Sequence, residues 1–164
     1  MMRNTLQEAI QFEKDGVDLY ETLAKDAKNK IAKMLFASLV KQEKDHITYI
    51  NNYAKIEKFE PMQYIPLEKT VQDIFRTLLA EERKENISNI EGLEAALKLE
   101  DKGFRMYKDA LEKAEGPEDK KFFKFLMTME REHYEALANT HLYFTDNNAW
   151  VSENESKTWN WMNL

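Results

Sequence analysis

The sequence predicts an all-α protein: a four-helix bundle made of two helical hairpins, joined by one long crossover that contains an extra helix. Three observations predict it. In 164 residues there are only 4 glycines and 3 prolines, while Glu, Lys, Leu and Ala dominate, a composition that favours helix almost throughout. Apolar residues recur at three- and four-residue spacing along four long stretches. The chain also repeats itself at an offset of 87 residues. Ala9, Glu13, Gly16 and Tyr20 match Ala96, Glu100, Gly103 and Tyr107, and Phe36, Leu39, Glu43 and His46 match Phe123, Leu126, Glu130 and His133.

The elements follow in order. Thr5 to Glu8 has the form of a capping box, with Thr5 as N-cap of the first helix. Leu6, Ala9, Ile10, Glu13, Val17, Tyr20 and Ala24 then draw one stripe down a helix that runs to about Ala27. Asn29 is the expected left-handed turn residue ending it. The second helix runs from about Lys30 to Lys55, with Ile31, Leu35, Leu39, Glu43, His46, Ile47 and Ile50 on its stripe. Residues 57–69 hold two prolines and read as an extended connection. Thr70 to about Asn86 forms the extra helix, with Val71, Ile74, Phe75, Leu78 and Leu79 on its apolar side. Ser88 to Glu91 is a second capping box, opening a helix that carries Ala96, Glu100, Gly103, Tyr107 and Leu111 and stops at Gly116. Pro117 suits the first position of the last long helix, which presents Phe122, Leu126, Glu130, His133 and Leu137 and ends near Phe144.

The domain expectation is a bundle over 1–145, with hairpins at about 5–56 and 88–144 and a crossover at 57–87. The remaining 146–164 form a tail expected to pack on the bundle through its tryptophans.

Composition excludes several functions. With 24 basic and 30 acidic residues the net charge is −6, and no basic stripe offers a face to nucleic acid or an anionic membrane. The absence of cysteine excludes disulfides, thiol catalysis and any Cys-ligated iron–sulfur or rubredoxin-type centre in this chain. The N-terminal stretch has no apolar region of signal-peptide type, and no run approaches the roughly 18–20 apolar residues of a membrane span. A soluble, cytoplasmic protein is expected.

The chemistry lies in the polar residues that interrupt the apolar stripes. Glu43–His46 and Glu130–His133 are both Glu-x-x-His, and residues three apart share a helix face, so each motif offers a carboxylate and an imidazole to one point. Glu13 and Glu100 interrupt the stripes of the partner helices, where a carboxylate is costly unless paired, protonated or bound to metal. Glu13 lies 16 residues before Asn29 and Glu43 14 after it, and Glu100 and Glu130 stand in the same relation to Gly116. At 1.5 Å per residue each member sits roughly 21–24 Å from its turn, so the two hairpins bring four carboxylates and two imidazoles to one level. That donor set suits divalent first-row metals, and four carboxylates balance two M²⁺ ions. By contrast, Asp101, Glu132 and Glu135 fall off the stripe and read as solvated charges. His141 has no acidic partner at helical spacing and reads as a rim histidine. Phe122, Phe123, Phe125, Met127 and Met129 read as core packing.

These residues resemble the ferritin-like di-iron carboxylate superfamily, nearest its rubrerythrin branch, over about residues 5–144. The resemblance implies a ferritin-like bundle and a site of two iron ions, with manganese or zinc as substitutes. It implies Glu13, Glu43, His46, Glu100, Glu130 and His133 as ligands. Either Glu43 and Glu130, or Glu13 and Glu100, would be the bridging pair. Tyr20 and Tyr107 resemble the rubrerythrin tyrosines that hydrogen-bond to site carboxylates. The implied function is reduction of H₂O₂ or O₂ with electrons from an external donor, and a homodimer is a candidate assembly. The alternatives are an iron-handling ferroxidase or storage protein and a bundle with a purely structural metal site. Rubrerythrins often carry a rubredoxin domain, which this cysteine-free chain lacks. They also add a seventh carboxylate three residues after the third helix's glutamate, where this chain has Gly103.

Overall fold

The computed structural model describes residues 2–78 and 89–146. Four long helices, α1 (Met2–Asp26), α2 (Lys30–Ile56), α4 (Ile90–Lys113) and α5 (Pro117–Thr145), form two antiparallel hairpins, and the shorter α3 (Leu67–Leu78) lies in the crossover between them. Helix α1 packs on α2 and α4 on α5; the hairpins meet through α1 and α4, and α3 lies against α2 and α5. This is the all-α, ferritin-like arrangement with one long crossover. No helix among the described residues is long and apolar enough to cross a membrane.

Several boundaries differ from expectation. Helix α1 already includes Met2, so Thr5 lies inside it and is not its N-cap. Met2 packs against the apolar cluster of Leu6 and Phe123, and this burial carries the helix a turn back past the capping signal. Asn29 is not left-handed. At φ −78° and ψ 130° it is the N-cap of α2, its side chain accepting from the Ala32 N–H at 3.1 Å. The left-handed residue is Glu57, at φ 49°, which closes α2 with its N–H on the Tyr53 carbonyl. Helix α4 stops at Lys113 rather than at Gly116, which is instead the N-cap of α5, followed by Pro117. Asn29 and Gly116 thus do correspond, as starts of the return helices. Helix α3 begins at Leu67, ahead of Thr70, because Leu67 is fully buried against Val71 and Phe75. Helix α4 takes Asn89 as its N-cap; Ser88, Leu79 with the rest of the crossover to Ser88, and the tail from 147 lie outside the described residues.

Two apolar clusters fill the bundle. One contains Tyr20, Leu35, Phe36, Leu39, Leu93, Ala136 and Leu137, capped by Leu67, Val71 and Phe75 of α3. The Phe75 ring meets Tyr143 edge-on at 4.7 Å and ties α3 to α5. The other contains Leu6, Ile50, Tyr53, Tyr107, Phe122, Phe123 and Leu126, with Tyr53 stacked on Phe122 at 3.8 Å. Along each helix, the polar positions of the repeat fall between these clusters. The bundle therefore closes apolar walls above and below one polar layer.

Candidate metal centre

The six acidic and histidine side chains converge in that layer, and every one is buried: Glu13, Glu43, His46, Glu100, Glu130 and His133 are each at most 3% exposed. Their donor atoms form two groups, Glu13, Glu43, His46 and Glu130 in one and Glu43, Glu100 and His133 in the other, with the atoms of each group within 4.8 Å of one another. Glu43 belongs to both. Its Oε2 is 3.2 Å from His46 Nδ1 and its Oε1 is 3.3 Å from His133 Nδ1. Around His46 Nδ1 stand also Glu13 Oε2 at 3.3 Å and Glu130 Oε1 at 3.5 Å; around His133 Nδ1 stands Glu100 Oε2 at 3.3 Å. The two imidazoles lie face to face, 5.2 Å apart and 7° from parallel.

The electrostatics are those of an acid cluster shut away from water. Burial, then the charge of Glu43, pushes Glu13 up to about 8. Burial also acts to raise Glu43, but the hydrogen bond with Glu13 and the two imidazoles bring it well below the usual carboxylate range. Burial and the charges of Glu13, Glu100 and Glu43 hold Glu130 well above the ordinary range. The imidazoles go the other way from burial alone: burial would lower them, yet the facing carboxylates raise His46 well above its normal value and His133 to about 9. Protons occupy this site where positive charge is wanted.

Divalent cations fit the same demand. Glu43 Oε1, Glu100 Oε2, Glu130 Oε1 and His133 Nδ1 are buried with no hydrogen-bond partner among the described residues, and all four residues belong to the two groups. Buried orphan oxygens and an imidazole nitrogen aimed at a common centre are what a hard or borderline cation satisfies.

Two tyrosines strap the layer across the hairpins. Tyr20 Oη, on α1, donates to Glu100 Oε1 on α4, and Tyr107 Oη, on α4, donates to Glu13 Oε1 on α1. Both rings are fully buried, and burial followed by the nearby carboxylate charge holds both phenols well above their ordinary range, so each remains a neutral donor. Each bond takes up one oxygen of a carboxylate and leaves the other facing the cluster.

Other residues differ from their sequence-based reading. Gln42 stands beside the ligand stripe, and its Oε1 is 2.6 Å from His133 Nε2. The signal for it was a break in the repeat, since the position 87 residues on is Met129. Gly103, opposite α5, is filled by its neighbours: a Cβ there would lie 2.2 Å from Glu130 Oε2 and 2.9 Å from Phe12 Cε1. The place of the seventh carboxylate is therefore taken. At the repeat-related Gly16 the same Cβ would find Leu99 Cδ2 at 3.5 Å and Glu43 Cγ at 3.6 Å, ordinary contacts. Glu132 is not a free solvated charge, since it accepts from Tyr64 Oη at 2.8 Å and holds the crossover to α5. His141 is a half-buried rim histidine with no acidic partner on its own helix, as expected; its acidic neighbour, Glu94 Oε1 at 3.7 Å, comes from α4. Asp101 and Glu135 pair with Arg105 and Arg131 on the surface, and Phe122, Phe123 and Met129 are core.

Four long helices with one crossover, enclosing two joined carboxylate–imidazole groups, define the class of ferritin-like di-iron carboxylate proteins. The rubrerythrin family model matches residues 4–141, and the chain belongs to that family. Neither a curated protein nor a solved structure matches it.

Proposed function

We propose that the protein is a rubrerythrin-like di-iron oxidoreductase that reduces hydrogen peroxide, or O₂, with electrons from an external donor. The observation that carries this reading is Glu43, whose two oxygens face two different imidazoles, as a carboxylate shared between two metal ions would. In this arrangement Glu13, Glu43, His46 and Glu130 would hold one ion and Glu43, Glu100 and His133 the other, with Glu43 common to both. A pair of iron ions held by these residues would supply one electron each, which matches H₂O₂ + 2e⁻ + 2H⁺ → 2H₂O without release of a one-electron oxygen radical. The chain's own part is to hold and enclose. Tyr20 and Tyr107 keep Glu100 and Glu13 oriented while the charge between them changes. The clusters around Phe36 and Phe123 exclude bulk water from the layer. Electrons must come from another molecule, because the chain has no cysteine to carry a second iron centre.

A second reading, iron oxidation for storage or detoxification, is favoured by Gly103: with the seventh position filled by Glu130 and Phe12, the donor set is a six-residue one. One experiment separates the two. Iron-reconstituted, reduced protein is mixed rapidly, without air, with H₂O₂ and separately with O₂. Much faster reoxidation by peroxide supports the peroxidase, preference for O₂ supports the ferroxidase, and silence toward both leaves a structural metal site and overturns the proposal.

A further inference from the structure

The repeat makes the six donor residues equal in kind, but the second atoms of the two imidazoles meet different surroundings. The carboxamide of Gln42 is held on one side by the carbonyl of Ile65 in the crossover, 3.3 Å from Gln42 Nε2. A carbonyl only accepts, so the NH₂ end faces Ile65 and Oε1 is left to accept from the Nε2–H of His133 at 2.6 Å. This orientation holds a proton on His133 Nε2 and leaves Nδ1, which faces Glu43 and Glu100, as the nitrogen whose proton a metal ion would displace. His46 has no such support. Its Nε2 is buried and without a hydrogen-bond partner among the described residues, and the position related to Gln42 by the repeat is Met129, whose thioether is at best a weak acceptor.

We infer that Gln42 is a positioning residue that makes the two metal positions unequal, so that the ion on His133 binds first and more tightly than the ion on His46. The inference rests on the metal-site reading above and adds an order of loading to it. A ligand imidazole whose far nitrogen is anchored has its tautomer and ring angle set before the metal arrives, and loss of such a partner typically weakens metal binding about 10–100-fold. Through Gln42 the crossover is joined to a cluster residue. The segment at Ile65 thereby acts on the His133 side alone.

The test is titration of the metal-free full chain with Co²⁺, followed by calorimetry and by the visible bands of the bound ion. Wild type takes up two ions in two steps whose dissociation constants differ about tenfold or more. H133A loses the tighter step and H46A the weaker one. Q42L moves the tighter step toward the weaker by about tenfold or more, with an unchanged helical spectrum. Q42E, which keeps an acceptor oxygen opposite His133, retains the tighter step, a rescue that a merely space-filling role for Gln42 would not give. M129Q is the converse variant and strengthens the weaker step. Uptake in two steps that Q42L leaves in place, or weakens equally, overturns the assignment of Gln42 while leaving the metal site standing. A wild type that binds both ions with equal affinity overturns it as well. No uptake of Co²⁺ by wild type overturns the metal-site reading, and the assignment with it.

Discussion

Gly16 and Gly103 are the same residue of the repeat, yet alanine at the two should act with opposite sign. In a helix interior, Gly→Ala is worth about 1 kcal/mol of backbone preference. At Gly16 the added methyl meets Leu99 and Glu43 at 3.5 Å or more, so nothing opposes that gain. At Gly103 it would stand 2.2 Å from Glu130 Oε2 and 2.9 Å from a ring carbon of Phe12. Two things differ: the Glu130 carboxylate lies against Gly103 where the equivalent Glu43 meets Gly16 first with its Cγ, and Phe12 stands where the repeat puts Leu99. Glu130 is a flexible side chain, but it is buried among the other five cluster residues, and Phe12 is buried as well. Overpacking of this kind costs about 1–3 kcal/mol, which cancels or exceeds the helix gain. The two variants should therefore differ by about 2 kcal/mol, or roughly 4–8 °C in Tm for a domain of this size, with G16A above wild type and G103A at or below it. The assay is thermal unfolding of both metal-free proteins, with metal content measured after iron loading. G103A should also lose metal, because the methyl displaces the Glu130 carboxylate from the cluster. A G103A protein as stable as G16A and fully loaded would refute the reasoning.

The metal-free protein should lose stability as pH rises from about 5 to about 9. Glu13 is raised to about 8 and His133 to about 9, with His46 and Glu130 also raised, so the folded chain holds protons that the unfolded chain releases. That contribution is complete below the unfolded values and gone above the folded ones; only Glu43, which is lowered, opposes it, adding stability above about pH 4.5. Melting curves at several pH values check this, as does a second series with metal, which should reverse the trend; a metal-free Tm that climbs from pH 6 to 9 would sink it. Tyr20→Phe and Tyr107→Phe each strip a donor from a buried carboxylate oxygen and should cost about 1–3 kcal/mol, measured by denaturation, while both ions still bind. Asn29→Ala should cost about 1 kcal/mol and Asn29→Gly only a few tenths, as suits an N-cap. Were the residue left-handed after all, the glycine variant would be at least as stable as wild type.

Much of this site is legible without coordinates because helix periodicity is local. A carboxylate and an imidazole three residues apart share a face whatever packs against them, and positions equally far from a turn meet at one height in a hairpin. That is why Glu13, Glu43, His46, Glu100, Glu130 and His133 could be named from spacing and the 87-residue repeat, and why they stand in one layer. Where each helix starts was less legible. Thr5 carries a capping signal that the burial of Met2 overrides, and Asn29 and Gly116 suit either end of a turn on residue type alone. The tertiary structure decided everything that depends on how one helix is rotated against another. It made Glu43 the residue shared by both groups, sent Tyr20 to Glu100 and Tyr107 to Glu13 across the hairpins, turned Gln42 onto His133, and closed the space beside Gly103 with Glu130 and Phe12. A stripe pattern encodes which face of a helix is buried; it does not encode which atom on the neighbouring helix that face will meet.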